Sequence, residues 1–529
     1  MQTIPPSIFN DVIGPVMRGP SSSHTAAAVR IGRIIRQFCG GTPEQVKVEF
    51  APEGSLATTY SSQGSDFGLA GGLLGMNPQD DRLTDAISFA AAEKMALTFQ
   101  ISDFPADHPN TYKIEAKGKN KKFRFIFLST GGGMLVLTSI NDLPVDIRGD
   151  YYELLYFVQS ENEEQLTTKV EQLAIKHKKI DQYSYVATDK MGLLNIKLTE
   201  IPEPELLAKL QKQLAIIEPV QLNPVLPVLS RKNITLPFET VQQLHEKARI
   251  EQKDLWELAV DYESARGNIS KEMVLQMASD LLMVMQNSCD QGIKGTDYDN
   301  RILGPQAALM LNSGQPLFGG VLVRDLIAFI TAIMETKSAM GLIVAAPTAG
   351  SCGALPGTLI AAASEQKSDH GRLVKSLLAA AVTGIFIARD STFAAEEGGC
   401  QAECGSASAM AAAGLVQLAG GNVNTALTAA SLALQNVIGL VCDPVANRVE
   451  VPCLGKNVLA GMNALAAANM ALAGFDQVIP FNQVIGAFDQ AGRMLPSALR
   501  CTGNAGLSIT SASLSLQQKL NGKTLNSEK

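Results

Sequence analysis

Apolar and polar positions change their rhythm along this chain. Ile31, Ile34, Ile35 and Phe38 recur at helical spacing, with Pro20 and Ser21, Ser22 and Ser23 as a start signal upstream. Short β-rich runs such as VKVEFA and FRFIFLS alternate with helical segments and Gly-rich turns up to about residue 150, the pattern of a mixed α/β domain. A shorter unit follows: YYELLYFVQS predicts a strand, ENEEQLTTKVEQLAIKH an amphipathic helix, and IDQYSYVAT and GLLNIKLTE a strand pair before the helical EPELLAKLQKQLAII. The β-α-β-β order suits a small ferredoxin-like module over 151–218. Pro219, Pro224 and Pro227 then mark a linker over 219–235.

From 236 to 529 nearly every segment has a helical pattern, including SKEMVLQMASDLLMVMQ, GRLVKSLLAAAVTGIFIA and NVLAGMNALAAANMALA. Helices this rich in Ala, Gly and Ser are weakly amphipathic and pack closely on all sides. The predicted fold class is α+β: a mixed α/β domain over 1–150, the small module, and a large all-α domain. Its interhelical loops carry the cysteines.

Composition narrows the function. At 529 residues the chain is long for one core, so two or three domains are expected. Hydrophobic residues make up 46% against 18% charged, which excludes a disordered chain. A net charge of −7 argues against a nucleic-acid partner, and the one basic run, KGKNKKFR from Lys117, predicts a solvated turn. No uninterrupted apolar run reaches membrane length, and the start MQTIPPSIFND lacks a leader's basic and apolar regions, so a cytoplasmic protein is expected. Eight cysteines are too few for a disulfide framework in a chain of this length.

Three of those cysteines stand beside Gly or Pro: Cys400 in EEGGCQAECG, and Cys442 and Cys453 at the two ends of CDPVANRVEVPC. No histidine lies near enough in sequence to complete a finger-like zinc site. Three thiolates without a fourth ligand suit an iron-sulfur cluster with one iron open to substrate; three buried small hydrophobes are the other reading. His24 and Thr25 fall in the first turn after Ser21, Ser22 and Ser23. Free backbone N–H groups and serine hydroxyls there make a carboxylate site, and the helix dipole favours a neutral imidazole able to accept a proton. A plain N-cap with a surface histidine is the alternative. Thr348 and Ser351, in APTAGSCGALPG, crowd hydroxyls at the mouth of a helix where a substrate's polar groups could bind.

These segments, with GPSSSHT from Gly19, resemble in order the iron-sulfur L-serine dehydratases, and the likeness runs from about residue 10 to about 510. The resemblance implies that Cys400, Cys442 and Cys453 hold a 4Fe-4S cluster; His24 is the first candidate for the base, and a Ser or Thr alkoxide beside the cluster is the alternative. The resemblance also implies that Ser21, Ser22, Ser23, Thr25, Ser55, Gln63, Asp66, Thr348 and Ser351 meet a small amino-acid substrate. Gln63 stands where the family usually carries a histidine, and glutamine cannot act as a base. HPNT from His108 and STGGGM from Ser129 also match family strings. The small module occupies the place of the ACT domain of many relatives but lacks a convincing Asp-Pro-Gly turn after its first strand, so a purely structural role stands beside effector binding. Cys352, Cys404 and Cys501 lie near the motifs but outside the trio, whereas Cys39 and Cys289 predict core positions.

The expected reaction is dehydration and deamination of L-serine to pyruvate and ammonium, at the interface of the N-terminal and helical domains of a homodimer. A cysteine desulfidase of the same architecture is the nearest alternative. A pyridoxal-phosphate lyase lacks a lysine in Schiff-base context, and a non-catalytic amino-acid sensor leaves the three cysteines unexplained.

Overall fold

The computed structural model describes residues 4–119, 121–158, 163–189, 191–214 and 219–526. Its strands are β1 (Val16–Met17), β2 (Gln45–Phe50), β3 (Ala96–Ile101), β4 (Thr111–Lys117), β5 (Lys122–Gly131), β6 (Met134–Ile140), β7 (Leu143–Ile147), β8 (Tyr152–Val158), β9 (Ile180–Ala187), β10 (Gly192–Leu198), β11 (Val220–Leu222) and β12 (Ile343–Val344). Six of them form a sheet in the order β3-β2-β4-β5-β6-β7, antiparallel except for β2 beside β3. Along β5 the residues alternate, so Phe123, Phe125 and Phe127 point inward. There they meet α1 (Ala27–Cys39), whose Phe38 ring packs edge-on against Phe125 at 5.0 Å.

Two short helices, α2 (Leu56–Thr59) and α3 (Ser65–Leu73), follow β2, and α4 (Ala86–Ala92) precedes β3. The EGSLATTYSSQGSDFGLAGGLLG segment thus carries two helices joined by turns; Gly64 and Gly75 take positive φ in the turns, and the glycines within α3 serve packing. A Cβ on Gly72 would stand 2.1 Å from the Val29 carbonyl oxygen, so only glycine lets α3 lie this close on α1.

The second sheet has the order β11-β8-β10-β9 and is antiparallel throughout. With α5 (Glu163–Lys176) and α6 (Pro204–Leu214) the chain order is β-α-β-β-α-β, and both helices pack on one face through Leu166, Val170, Leu206 and Leu210. The turn after β8, the place of an Asp-Pro-Gly motif in an ACT domain, lies outside the described residues. The predicted linker differs from what is found. Val220–Leu222 is an edge strand against β8, and Val225 and Val228 are buried, so this Pro-rich stretch is packed into the molecule.

The helical half comprises α7 (Val241–Glu251), α8 (Leu255–Gly267), α9 (Lys271–Lys294), α10 (Ala307–Leu311), α11 (Gly320–Ser338), α12 (Ala354–Glu365), α13 (His370–Asp390), α14 (Ala395–Gly398), α15 (Ser406–Leu418), α16 (Val423–Gln435), α17 (Cys453–Leu472), α18 (Phe481–Met494) and α19 (Ser511–Asn526). Small residues on α15, among them Ala409, Ala412 and Ala413, are fully buried between α13, α16 and α17. By length and composition α13 could cross a membrane, yet its apolar stretch is mostly buried in this core. The first residues of the chain belong here as well. Ile8, Phe9 and Val12 enter the helical core, the Ser7 hydroxyl and Ile8 amide donate to Glu263, and β1 pairs with β12. The chain therefore starts in the helical half, crosses to the sheet, and returns.

Candidate active site

The site forms where the turn before α1 meets the loops of the helical half. Ser21 caps that turn by accepting from the His24 amide at 3.4 Å, and Ser22–Ala26 coil more widely than an α-helix before α1 begins. Residues 21 to 25 are all buried, and His24 is 0% exposed, which removes the surface-histidine reading.

The hydrogen bonds around His24 assign its protons. Thr59 donates its hydroxyl to the Ser55 carbonyl at 2.6 Å, so at 2.8 Å from His24 Nε2 it must accept, and Nε2 carries a hydrogen. Ser23 donates to Glu396 Oε1 at 2.7 Å, leaving Ser21, 3.0 Å from Nδ1, as the hydroxyl that can donate there. Nδ1 then carries no hydrogen and accepts from Ser21, with Glu396 Oε1 3.5 Å away. Burial lowers the His24 pKa and the Glu396 carboxylate raises it again, with burial prevailing. A neutral imidazole beside a carboxylate can take a proton at Nδ1 and have the resulting charge stabilised.

Opposite stand the thiols. Gly399, in a left-handed conformation at φ 73°, ends α14 and delivers Cys400 into a wide turn, Gln401–Gly405, that leads into α15. Cys442 lies in an extended segment bridged to Arg500, and its carbonyl accepts from the Cys501 amide at 3.1 Å. Cys400, Cys404, Cys442 and Cys501 share one buried cluster, while Cys453, at the first turn of α17, belongs to the adjoining one with Cys352. The thiols interact all the same. Contact with Cys400 raises the Cys404 pKa; contact with Cys501 raises that of Cys442, and burial raises that of Cys453, with Cys400 adding to the last two. Asn457 Nδ2 lies 3.7 Å from the Cys404 sulfur and 2.8 Å from the Cys453 carbonyl, tying the two loops together. Among the described residues no three His, Cys, Asp or Glu side chains close on a point as ligands of a single ion do.

The other sequence candidates are distributed around these two groups. Thr25 donates to the Gln63 carbonyl at 2.9 Å, Ser55 donates to the Cys501 carbonyl at 2.8 Å, and Gln63 Nε2 lies 3.6 Å from the Cys501 sulfur. Ser22 accepts from the Ala349 amide at 3.2 Å, joining the His24 turn to the Thr348 loop. Thr348 donates to Glu403 at 2.6 Å and lies 3.2 Å from the Ser351 hydroxyl. Gly350 makes room there, since a Cβ on it would stand 2.6 Å from the Glu403 carboxylate. Burial pushes Glu403 up to about 7 against the hydrogen bond from Thr348. Asp66 stands apart from the thiols, in a separate cavity beside Arg448. His108 pairs with Glu397 at 2.9 Å on the far side of α14, and Ser129 donates to the Ser23 carbonyl at 2.6 Å.

Glu396, Thr59, Glu403, Asn457 and Arg448 were not singled out in the sequence. Glu396 and Glu403 flank Cys400 in the quoted EEGGCQAEC, so proximity to the cysteine was a signal for both. Nothing in the sequence joins Glu396 to a serine 373 positions away.

Residues 250–508 match the family described as serine dehydratase alpha chain. The probable L-serine dehydratase alpha chain of Bacillus subtilis (strain 168) is 37% identical over 293 residues, covering 55% of this chain and 97% of the relative. The L-serine dehydratase alpha chain of Peptoniphilus asaccharolyticus is 38% identical over 258 residues, 48% of this chain and 88% of its own. The probable beta chain of the Bacillus subtilis enzyme is also similar, 40% identical over 149 residues, which is 28% of this chain and 66% of that relative.

Proposed function

The chain belongs to the L-serine dehydratases, carbon–nitrogen lyases that take L-serine to pyruvate and ammonium, and from this premise we propose that Cys400, Cys442 and Cys453 hold a 4Fe-4S cluster while His24 serves as the base. The observation that carries this reading is the set of buried thiols gathered from the turn after α14, the extended segment at Cys442 and the first turn of α17, next to the His24–Glu396 pair. The donor chemistry fits. Cys442 and Cys453, whose pKa values their surroundings raise, stay protonated unless a cation meets them, and soft sulfur donors suit iron. A single ion requires ligands within about 2.5 Å, whereas four irons spread their ligands over a wider frame.

When bound, such a cluster supplies a Lewis acid that stabilises charge on the departing hydroxyl. The chain's own groups handle the protons. His24 takes the α-proton of serine at Nδ1, with its ring fixed by Thr59 at Nε2. Glu396, held by Ser23, stabilises the imidazolium so formed. Loss of the β-hydroxyl leaves an enamine, which tautomerises and hydrolyses to pyruvate and ammonium. Ser21, Thr348 and Gln63, now bonded to His24, Glu403 and the Cys501 sulfur, are the hydroxyl and amide groups that would turn to the substrate. Burial of all these residues keeps bulk water from the carbanion-like stage.

The β-α-β-β-α-β unit is read as ferredoxin-like and ACT-like. An oxidant-sensitive group suits a reducing cytoplasm. Anaerobic purification, iron and sulfide counting and a pyruvate assay with serine, threonine and cysteine test the proposal. The expected result is about four irons and four sulfides per chain with serine preferred; full activity in metal-free protein would overturn it.

A further inference from the structure

A cavity of about 550 Å³ lies between α3 and the loop joining Cys442 to Cys453, and no step above uses it. Three of its lining residues are chain neighbours of residues at the His24 and thiol groups. Pro20 lines it next to Ser21, Thr58 next to Thr59, and Ser62 next to Gln63, so each lining residue adjoins one that faces His24 or the thiols. Two long hydrogen bonds close that side of the cavity: Asn447 Nδ2 to the Thr58 carbonyl at 3.3 Å and Arg448 Nη1 to the Ser62 carbonyl at 3.5 Å.

The charges lining the cavity are of both signs. Arg448, half-buried, is held at Nη2 by Asn300 at 2.9 Å. Asp66, also half-buried, accepts from the Phe67 amide at 2.8 Å. Glu450, the other carboxylate in the lining, is already committed to the Ile302 and Leu303 amides at 2.9 and 3.1 Å. Among the described residues that line it, Arg448 is the cation and Asp66, held by the Phe67 amide and Ser61, the carboxylate not committed to another element, in a hydroxyl-rich cavity whose pattern is complementary to a zwitterion.

We propose that this cavity is the vestibule through which a free α-amino acid reaches the thiols, with Arg448 receiving its carboxylate and Asp66 its ammonium group. The volume is more than one small amino acid needs, as suits a passage. The assignment rests on the serine dehydratase reading for the identity of the amino acid, and on the cavity's own residues for the capture.

The test uses anaerobically purified full-length holoenzyme. R448Q should raise KM for L-serine roughly 10- to 100-fold, the loss of a charge-assisted contact, with kcat within about threefold and iron and sulfide content unchanged. R448K should recover part of the loss, and D66N should raise KM roughly 3- to 10-fold. I87W, which narrows the cavity from its α4 side without touching a charge, should lower kcat/KM about tenfold or more. Unchanged KM in R448Q together with unchanged kcat/KM in I87W overturns the vestibule. If R448Q fails to fold or loses iron, I87W and D66N decide alone. Calorimetric titration with L-alanine, which has the zwitterion but no leaving group, reads capture without turnover. Its Kd should weaken roughly 10- to 100-fold in R448Q, and an equal Kd overturns the assignment. Wild-type protein that binds L-alanine yet makes no pyruvate would sink the dehydratase reading and leave the vestibule standing.

Discussion

The two walls of the site are built on opposite principles. On the N-terminal wall nearly every polar atom has a partner: Ser21, Ser23, His24, Thr25, Ser55 and Thr59 form a continuous set of hydrogen bonds from 2.6 to 3.4 Å. On the C-terminal wall the sulfurs touch one another and a few amides at 3.6 Å or more. A wired wall fixes a proton's position, whereas a wall of clustered thiols is incomplete by itself and becomes stable as thiolates only around positive charge. The first suits acid–base chemistry and the second suits metal.

The sharpest break in that comparison comes from the thiol wall. Cys400→Ser, Cys442→Ser or Cys453→Ser should each reduce iron and sulfide to near zero and activity to background, while far-UV circular dichroism stays unchanged. Cys352→Ser is the contrast. Burial pushes that thiol up to about 12 and its sulfur neighbour is Met334 at 3.8 Å, so iron content should be retained. Equal iron loss in all four variants would mean that the family motif does not select the ligands.

Breaking the wired wall should separate chemistry from metal. His24→Gln is expected to lower kcat roughly 10²- to 10⁴-fold with full iron content, measured in the same preparations. Glu396→Gln should act more gently, roughly tenfold in kcat, and leave a signature in the pH profile. With His24 as the proposed base, activity requires it neutral and should be lost as pH falls through its pKa. Because the Glu396 carboxylate raises that pKa, removing the charge moves the acid limb of kcat/KM to lower pH. A limb that stays in place would show that His24 is not the titrating group.

Local signals carried much of this arrangement. The spacing of Ile31 to Phe38 marked α1, the alternation in FRFIFLS marked β5, and Ser21–Ser23 marked the cap that buries His24. What the sequence did not show depends on distant pairings. The bond from Ser23 to Glu396 spans most of the chain, and no local pattern marks Ile8 to Val12 as the anchor in the helical core that they form. β11 has only three residues among prolines, too short for a period-two pattern to register, and it forms because β8 offers an edge. Helix α8, WELAVDYESARG, mixes charge with burial: Glu263 and Arg266 lie inside because the first residues of the chain return to bond them.

The smallest effect separates burial that serves the site from burial that serves packing alone. In the four-stranded sheet, burial pushes Glu153 up to about 7 against the nearby Lys197 and the Asn195 amide, which donates to it at 2.7 Å. A carboxyl raised in the folded state binds more protons than the unfolded chain does. Its stabilising contribution is complete below the ordinary pKa near 4.5 and is lost as pH rises through about 7. Glu153→Gln keeps the shape and removes the charge. Hydrogen exchange at the β8 and β10 amides should therefore show opening costlier by about 2 kcal/mol in the variant at pH 8 and nearly equal to wild type at pH 5, with pyruvate formation unaffected. A loss of activity would make the small module part of the catalytic assembly, and equal protection at both pH values would place the Glu153 proton elsewhere.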